Sequence, residues 1–212
     1  MMSDDTTRVE HVFKLLVTGP FAAGKTTLIR TVSDAPVMET EVHVTGSGPH
    51  GTTMMMDLGT YTLPRPDRST DDVRLMVFGT PGEQPFRSVV DSLKGEVDAI
   101  VFVVAADDEH THREAADSLR SLVSDLRVPL VIAVNRCDDR SAAEQLVRSF
   151  GVNTTAVVVP CQLDQPDSGR EVVVEALVAV LVRSAAWRQL VVDPHQRTRA
   201  RLAALPPLDG VA

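Results

Sequence analysis

The sequence predicts a three-layer α/β fold with a mostly parallel sheet and one antiparallel edge hairpin. Near-continuous apolar runs at 97–107 and 128–135 have the composition of strands covered on both faces, which is typical of parallel sheets. Segments with the spacing of amphipathic helices alternate with the strand-like runs, as they do where helices cover both faces of a sheet. Residues 64–71 are rich in turn formers and join two strand-like segments, which predicts the hairpin.

The individual elements follow from the same patterns. The predicted strands lie at 12–19, 54–63, 72–79, 97–107, 128–135 and 155–160. Three of the predicted helices run from 24 to about 32, near 140–150, and from about 169 into 182–190. A further helix, the second along the chain, lies between the strands at 97–107 and 128–135, and its buried face is marked by Ala115, Leu119, Leu122, Val123 and Leu126. Asp107 and Asp108 are expected to cap the second helix. Residues 33–53 are rich in Gly, Thr, Pro and His and are expected to form a loop.

Length and composition favour one globular domain. The 212 residues suffice for a single sizeable core, which we expect over 12–192, between a polar N-terminal extension at 1–11 and a flexible tail at 193–212. A formal net charge of -8 without a basic run argues against nucleic acid as a partner. Cys137 and Cys161 lack CxxC spacing, which favours a reducing cytoplasm. No apolar run reaches about 18 residues, so we expect any membrane association to come through a partner.

The segment Gly19–Thr26 fits the phosphate-loop pattern G-x-x-x-x-G-K-[ST] and lies between a predicted strand and a predicted helix. In such a loop, backbone N–H groups and the helix N-terminus bind phosphate oxygens, and Lys25 adds a mobile positive charge for the β- and γ-phosphates. The Thr26 hydroxyl is a candidate Mg²⁺ ligand. The candidate phosphate-binding residues are Gly19, Ala22, Ala23, Gly24, Lys25, Thr26 and Thr27.

Phe21 is the third residue of this loop and lies where the loop should pass the γ-phosphate. Two interpretations of its bulk stay open. The side chain could reduce the space for a water-positioning residue, which would slow hydrolysis. It could also turn outward and pack on a partner or on the loop that follows Phe78.

A second motif, Asn135-Arg136-Cys137-Asp138, directly follows the predicted strand at 128–135. It resembles the N-K-x-D motif of GTP-binding proteins, with Arg in place of Lys. The Asp138 carboxylate can accept hydrogen bonds from N1–H and the 2-amino group of guanine, a donor pair that adenine lacks. Asp138 therefore argues against an ATP-using P-loop enzyme, which is the weakest of the functions that the phosphate loop alone would allow. Arg136 can lay its aliphatic stem along the base but stacks differently from a lysine.

With these two motifs, residues 12–186 resemble a Ras-like small GTPase, which is a P-loop NTPase of the G-domain type. More narrowly, the chain is similar to bacterial MglA-like and actinobacterial conservon GTPases, in which FGTPG (here 78–82) replaces the usual D-x-x-G. The resemblance implies a signalling switch that binds GTP, GDP and Mg²⁺. It also implies roadblock-type (MglB-like) regulators as partners, together with upstream or downstream signalling proteins. By the same resemblance, Cys161 and Gln162 would offer backbone groups to the guanine O6 atom.

The segment at 51–59 resembles the first switch of the family, whose T-x-x-x-D pattern makes Thr53 the ligand of Mg²⁺ and γ-phosphate. Thr52 is the neighbouring alternative. Asp57 follows on the next strand, where we expect a solvated edge-strand carboxylate. The alternative for Asp57 is a supporting role behind the Mg²⁺ ligands.

The second switch, D-x-x-G-Q in the family, corresponds to residues 79–83. Gly82 is retained, and its N–H can bind the γ-phosphate, whereas Gly79 replaces the Asp that supports Mg²⁺. Glu83 replaces the Gln that orients the attacking water, and a triphosphate repels its carboxylate, so Gln84 could substitute if the loop shifts by one residue. The alternative for Glu83 is an exposed acid at the start of a helix, stabilised by the helix dipole. The candidate catalytic residues are Glu83, Gln84 and Lys25, and the candidate metal ligands are Thr26 and Thr53.

These departures from the family pattern shape the functional expectation. We expect a GTP/GDP-regulated switch whose intrinsic hydrolysis is slow and needs a partner, because Phe21 and Glu83 both disfavour placement of the attacking water. The alternative is a non-hydrolysing pseudo-GTPase that serves as a nucleotide-dependent or nucleotide-free interaction module.

Overall fold

A computed structural model of the chain describes residues 10–44, 52–63, 72–80, 96–124 and 126–183. The strands found there are β1 (Glu10–Thr18), β2 (Met38–Val44), β3 (Thr52–Thr62), β4 (Asp72–Gly79), β5 (Ala99–Ala105), β6 (Leu130–Asn135) and β7 (Val157–Cys161). The helices found there are α1 (Lys25–Val32), α2 (Glu109–Val123), α3 (Arg140–Ser149) and α4 (Pro166–Arg183).

These strands form one seven-stranded sheet in the order β2-β3-β4-β1-β5-β6-β7. The strand β3 runs antiparallel to both of its neighbours, and the other neighbouring strands pair in parallel. The predicted fold class is thereby confirmed, including the antiparallel hairpin between β3 and β4. Because the parallel strands share one direction, their carboxyl ends meet at the same edge of the sheet.

Helices cover both faces of the sheet and bury it. Along their whole lengths, β5 and β6 are buried, which explains their unbroken apolar sequences. One core cluster joins the sheet to Leu28 of α1 and Val173 of α4. The other joins it to Leu119 of α2 and Val147 of α3. Among the described helices, none has the combination of length and apolar character needed to cross a bilayer.

One strand was missed in the sequence. Residues 33–53 were expected to form a loop, but Met38–Val44 is strand β2 and pairs with β3 along its full length. Its sequence METEVHV alternates larger or β-branched side chains with charged or imidazole ones, which is the period of a strand. Two acidic residues and one histidine in seven positions hid that pattern, as is common at a sheet edge.

The burial of β5 generates a stability prediction. Val101 is fully buried in β5, so Val101→Ala removes two methyl groups from the core and leaves a cavity. We expect the free energy of unfolding to fall by about 2–3 kcal/mol, measured by chemical denaturation. Val12→Ala in β1 is the matched control, because Val12 is 43% exposed. It should cost less than about 1 kcal/mol, and equal losses in the two variants would contradict the observed core.

Candidate functional site

A cavity of about 750 Å³ lies at the carboxyl edge of the parallel strands. The loop between β1 and α1 forms one wall, and residues at the carboxyl ends of β4 and β6 and after β7 form the others. The lining residues are Phe21, Ala22, Gly24, Lys25, Thr26, Thr27, Glu39, Met55, Met56, Asp57, Gly79, Thr80, Asn135, Arg136, Gln162 and Asp164. The predicted phosphate loop and base motif thus face one shared space.

Both motif glycines of the phosphate loop are required by the backbone. Gly19 has φ 138°, and a Cβ atom there would lie 2.1 Å from the carbonyl oxygen of Val103. Gly24 has φ 111°, and a Cβ atom there would lie 2.4 Å from Nδ2 of Asn135. These φ values are ones that residues with side chains rarely adopt. The loop can therefore pass close to β5 and to the base motif only with glycine at both positions.

The Lys25 side chain lies across the phosphate loop. Its Nζ atom donates to the carbonyl oxygens of Gly19 at 2.9 Å and Pro20 at 2.7 Å, and the residue is buried. Burial lowers the pKa of Lys25 from 10.5 to about 8, although Glu114 and Asp57 oppose the shift. A buried ammonium group surrounded by dipoles gains most from a nearby anion, so Lys25 is suited to bind phosphate oxygens.

The next residue of the loop makes an unexpected contact with β3. The Thr26 hydroxyl donates to Oδ2 of Asp57 at 2.7 Å. Asp57 pairs with Gly79 across the β3–β4 ladder, and both line the cavity. The expectation of a solvated edge-strand carboxylate at Asp57 is wrong, because β2 pairs with the outer side of β3 and the Asp57 side chain is only partly exposed beside the phosphate loop.

The space around Gly79 explains this arrangement. A Cβ atom at Gly79 would lie 2.4 Å from Cδ1 of Ile29 and 3.4 Å from Cβ of Asp57. The Asp57 side chain thus already lies next to the position where the family pattern carries its aspartate. A carboxylate reaches this corner of the cavity from β3, not from β4.

The oxygen atoms of Thr26 and Asp57 define what kind of cation the corner could hold. Within the described residues, no cluster of three or more His, Cys, Asp or Glu side chains could hold a metal ion unaided. A hydroxyl and one carboxylate next to a phosphate loop match the preference of Mg²⁺, which keeps several waters and shares its remaining ligands with substrate phosphates. The residues present therefore fit a magnesium ion that binds together with a nucleotide.

At the other end of the cavity, the buried Asn135 side chain joins three loops. Its Nδ2 donates to the carbonyl oxygen of Ala23 at 2.9 Å, and its Oδ1 accepts from the N–H groups of Leu163 at 3.0 Å and Arg136 at 2.9 Å. One N–H group and the oxygen of this amide are therefore used for positioning. Asn135 fixes the base motif relative to the phosphate loop.

The predicted base reader, Asp138, is exposed, and its Oδ1 accepts from Nε2 of Gln162 at 3.1 Å. An amide N–H is the same kind of donor that guanine presents through N1 and its 2-amino group. The backbone N–H of Gln162 donates to Oγ of Ser168 at 2.8 Å, so a contact with guanine O6 would have to share that N–H. The O6 contact of Gln162 stays a prediction.

Cys161 is buried at the end of β7, and its carbonyl oxygen accepts from the N–H of Cys137 at 3.3 Å. Burial raises the pKa of the Cys161 thiol to about 12, with smaller contributions from Cys137 and Glu171. The thiol therefore stays protonated and packs in the core. The predicted contact of the Cys161 backbone with O6 stays a prediction.

The contact of Asp57 with Thr26 agrees with the alternative given for Asp57 from the sequence, a supporting position behind the proposed Mg²⁺ ligands. The contact that Asp107 makes was not predicted from the sequence. Asp107 was expected to cap α2 together with Asp108, but Asp108 occupies the N-cap position without a side-chain hydrogen bond. Asp107 instead accepts from Nη1 of Arg136 at 2.8 Å, and this hydrogen bond lowers the pKa of the exposed Asp107 carboxyl. The sequence did contain a signal for this contact, because Asp107 and Arg136 carry opposite charges and follow two neighbouring strands, β5 and β6.

Other candidates lie partly or wholly outside the described residues. Gly82, Glu83 and Gln84 are among those that the structure does not describe. The backbone of Thr53 belongs to β3, opposite His43, and its side chain lies outside the part that the structure describes. Phe21 is 61% exposed at the rim of the cavity, which agrees with the interpretation that its side chain turns outward.

The comparison with known families agrees with this geometry. The family model described as "Arf: ADP-ribosylation factor family" matches residues 2–162, which is most of the chain. The search of curated proteins found no match to the chain. The matched range contains the phosphate loop, the Thr26–Asp57 contact and the base motif at 135–138. The chain belongs to the Arf family of Ras-like small GTPases, and its cavity is that of a small GTP-binding switch protein.

Proposed function

We propose that this protein is a Mg²⁺-dependent switch that alternates between GTP and GDP and hydrolyses GTP slowly without a partner. One observation carries the proposal: a single cavity extends from the phosphate loop, with its Thr26–Asp57 contact, to the Gln162 side chain that is bound to Asp138. Phosphate, cation and base recognition are thereby available in one space.

The phosphate end would work through charge and hydrogen bonding. Lys25 would exchange its two carbonyl acceptors for oxygens of the β- and γ-phosphates, and the loop N–H groups would bind the same oxygens. Thr26 and Asp57 would hold Mg²⁺, directly or through its water ligands, with Thr53 completing the set. When bound, Mg²⁺ neutralises phosphate charge and fixes the orientation of the β- and γ-phosphates.

The base end would select guanine. Asp138 would release or share its Gln162 donor and accept from N1–H and the 2-amino group of guanine. An adenine base would present its N1 acceptor to the carboxylate and would leave an Asp138 oxygen without a donor, which costs free energy. Arg136 would cover one face of the base.

Slow turnover follows from residues of the second switch. Gly82 would report the γ-phosphate through its N–H, but Glu83 places a negative charge where the family carries a neutral water-orienting amide. Gln84 would substitute only after a one-residue shift of the loop. A partner that reorders this loop would therefore be needed for efficient hydrolysis.

The subtype, partners and location are part of the same proposal. The motif FGTPG at 78–82 supports an MglA-like or conservon-type bacterial protein. Such a protein would act in signalling in the cytoplasm with a roadblock-type, MglB-like regulator. Membrane recruitment would come through partners.

Extraction of nucleotide from the purified protein tests the function most directly. Bound GDP supports a switch that turns over, and persistent GTP supports one that is stalled without its partner. A protein that carries no nucleotide and binds none when GTP and Mg²⁺ are added would overturn the proposal in favour of the pseudo-GTPase.

The base assignment predicts the effect of Asp138→Asn. Xanthine carries a carbonyl at C2 where guanine carries an amino group, so an amide at position 138 should favour it. We expect GTP affinity to fall by at least about tenfold and the preference to move toward xanthosine triphosphate, measured by competition binding. Asp139→Asn is the control, because Asp139 caps α3 through its bond to Ser141 and an asparagine caps equally well. Unchanged GTP affinity in Asp138→Asn would refute the assignment.

The Thr26–Asp57 contact predicts the magnesium dependence. Asp57→Asn keeps the size of the side chain but removes its charge, so nucleotide retention should need about tenfold more Mg²⁺. The measurement is the GDP release rate across a Mg²⁺ titration. Asp34→Asn is the control, because Asp34 binds the N–H of Thr62 at the far end of β3 and carries the same charge.

An exchange variant tests whether the position of the charge along the chain matters. In Asp57→Gly with Gly79→Asp, the carboxylate would return to β4, where the removal of the Asp57 side chain makes room and only the flexible end of Ile29 must move. We expect this double variant to recover part of the Mg²⁺ affinity that Asp57→Gly alone loses. An Asp57→Asn variant that behaves like Asp34→Asn would show that Asp57 does not support the cation.

The second switch predicts the hydrolysis rate. In a single-turnover assay of preloaded protein, we expect hydrolysis on the order of 10⁻⁴ per second or slower, because no neutral amide follows Gly82 directly. Glu83→Gln should accelerate it about tenfold, since the repulsion from the triphosphate is removed. Rapid hydrolysis by the unmodified protein alone would contradict the need for a partner.

A further inference from the structure

Two residues of the cavity wall have an unusual backbone conformation. Among the non-glycine residues that the structure describes, only Ala22, with φ 55°, and Arg136, with φ 58°, adopt positive φ. Such conformations cost free energy and persist where surrounding contacts hold them, often at functional sites. Here one contact joins the two residues, because Nη2 of Arg136 donates to the carbonyl oxygen of Ala22 at 3.2 Å.

The Arg136 guanidinium is held at a second point as well. Nη1 of Arg136 donates to Oδ1 of Asp107 at 2.8 Å, from the loop that follows β5. The group is planar, so two fixed nitrogens in different loops determine the orientation of its plane. A lysine, with one ammonium group, could not be oriented in this way. The arrangement thus depends on the Arg that replaces the usual Lys of the motif.

The guanidinium keeps a free surface at the cavity. Arg136 lines the cavity together with Ala22 and Gln162, and 43% of its side chain is exposed. Gln162 is the residue that contacts the proposed base reader, Asp138. A flat cation beside the base-reading groups is placed to stack on an aromatic ring, as arginine does more readily than lysine.

We propose that Asp107 is a positioning residue for nucleotide binding, which holds the Arg136 guanidinium in the orientation that stacks on the purine ring. This inference rests on the proposed function, because it requires a nucleotide base in the cavity. Asp107 would not touch the nucleotide. Its effect would pass through Arg136 and would be strongest on the rate at which nucleotide leaves.

An ordinary surface ion pair would not act in this way, and the chain provides one for comparison. Asp117 and Arg120 form an ion pair at 2.7 Å within α2, with side chains 65% and 58% exposed. Pairs of this kind contribute little. The Asp107–Arg136 pair is about as exposed, but it joins two loops that are 29 residues apart and orients a group that lines the cavity.

Stacking makes a distinctive prediction about base selectivity. A cation above the ring acts on the whole purine, whereas Asp138 acts on the hydrogen-bond donors at the edge of guanine. Loss of Asp107 should therefore weaken the binding of guanosine diphosphate and of inosine diphosphate by the same factor, although inosine lacks the 2-amino group. Loss of Asp138 should affect the two nucleotides unequally.

The experiment compares Asp107→Asn with the matched control Asp117→Asn in the full chain with Mg²⁺. We expect Asp107→Asn to bind both diphosphates about 5- to 10-fold more weakly, mainly through faster dissociation, with an unchanged melting temperature of the nucleotide-free protein. Asp117→Asn should bind both as the unmodified protein does. Asp107→Glu should recover part of the affinity, because a carboxylate is restored.

A double variant separates positioning from a general structural effect. In an Arg136→Ala background, Asp107→Asn should have no further effect on dissociation, since the group that Asp107 orients is gone. Arg136→Lys should lose about as much affinity as Asp107→Asn, because its charge stays but its fork is lost.

Several outcomes would overturn the inference. These are unchanged nucleotide dissociation in Asp107→Asn, an equal effect of Asp107→Asn with and without Arg136, and a loss confined to guanosine diphosphate. Each of them leaves the proposed function intact if the unmodified protein binds guanosine diphosphate. Failure of the unmodified protein to bind either nucleotide would instead refute the proposed function and the inference together.

Discussion

The site depends on one buried amide, that of Asn135. It donates to the phosphate loop at Ala23 and accepts from the loop after β7 at Leu163, so the two ends of the cavity are held at a fixed separation. Gly24 lies so close to this amide that any side chain there would collide with it. A buried polar group that bonds three backbone groups is specific in geometry, whereas a shorter or apolar side chain would leave those backbone groups unpaired.

Next to these loops, the protein departs from the family pattern in the strand that carries a carboxylate. The carboxylate beside Thr26 comes from Asp57 in β3, and the facing position in β4 is Gly79. Directly opposed residues in an antiparallel ladder have neighbouring side chains, so a charge can move from one strand to the next and still reach the same corner. An aspartate at both positions would place two like charges side by side and would crowd Ile29.

The base end shows a comparable replacement. Where the family motif has a lysine, Arg136 is oriented by contacts with Asp107 and with the carbonyl oxygen of Ala22. The larger, planar cation needs more partners than a lysine, and the fold supplies them from two other loops at the same edge of the sheet. In both places a group of the same charge is kept in the same part of the site, while the strand or the residue type that supplies it changes.

The sequence by itself determined the fold class, the phosphate loop and the base motif, because each rests on local order along the chain. Apolar runs identify buried strands, and the spacing of glycines and Lys25 identifies a loop that needs only its own backbone. Strand β2 was harder to predict from the sequence, because the charged residues of an edge strand obscure the alternation of apolar and polar positions. Tertiary structure decided between the two interpretations of Asp57 and brought Asp107 into contact with Arg136. Their partners, Thr26 and Arg136, lie 31 and 29 residues away, and only strand pairing and the shared edge of the sheet bring those charges together.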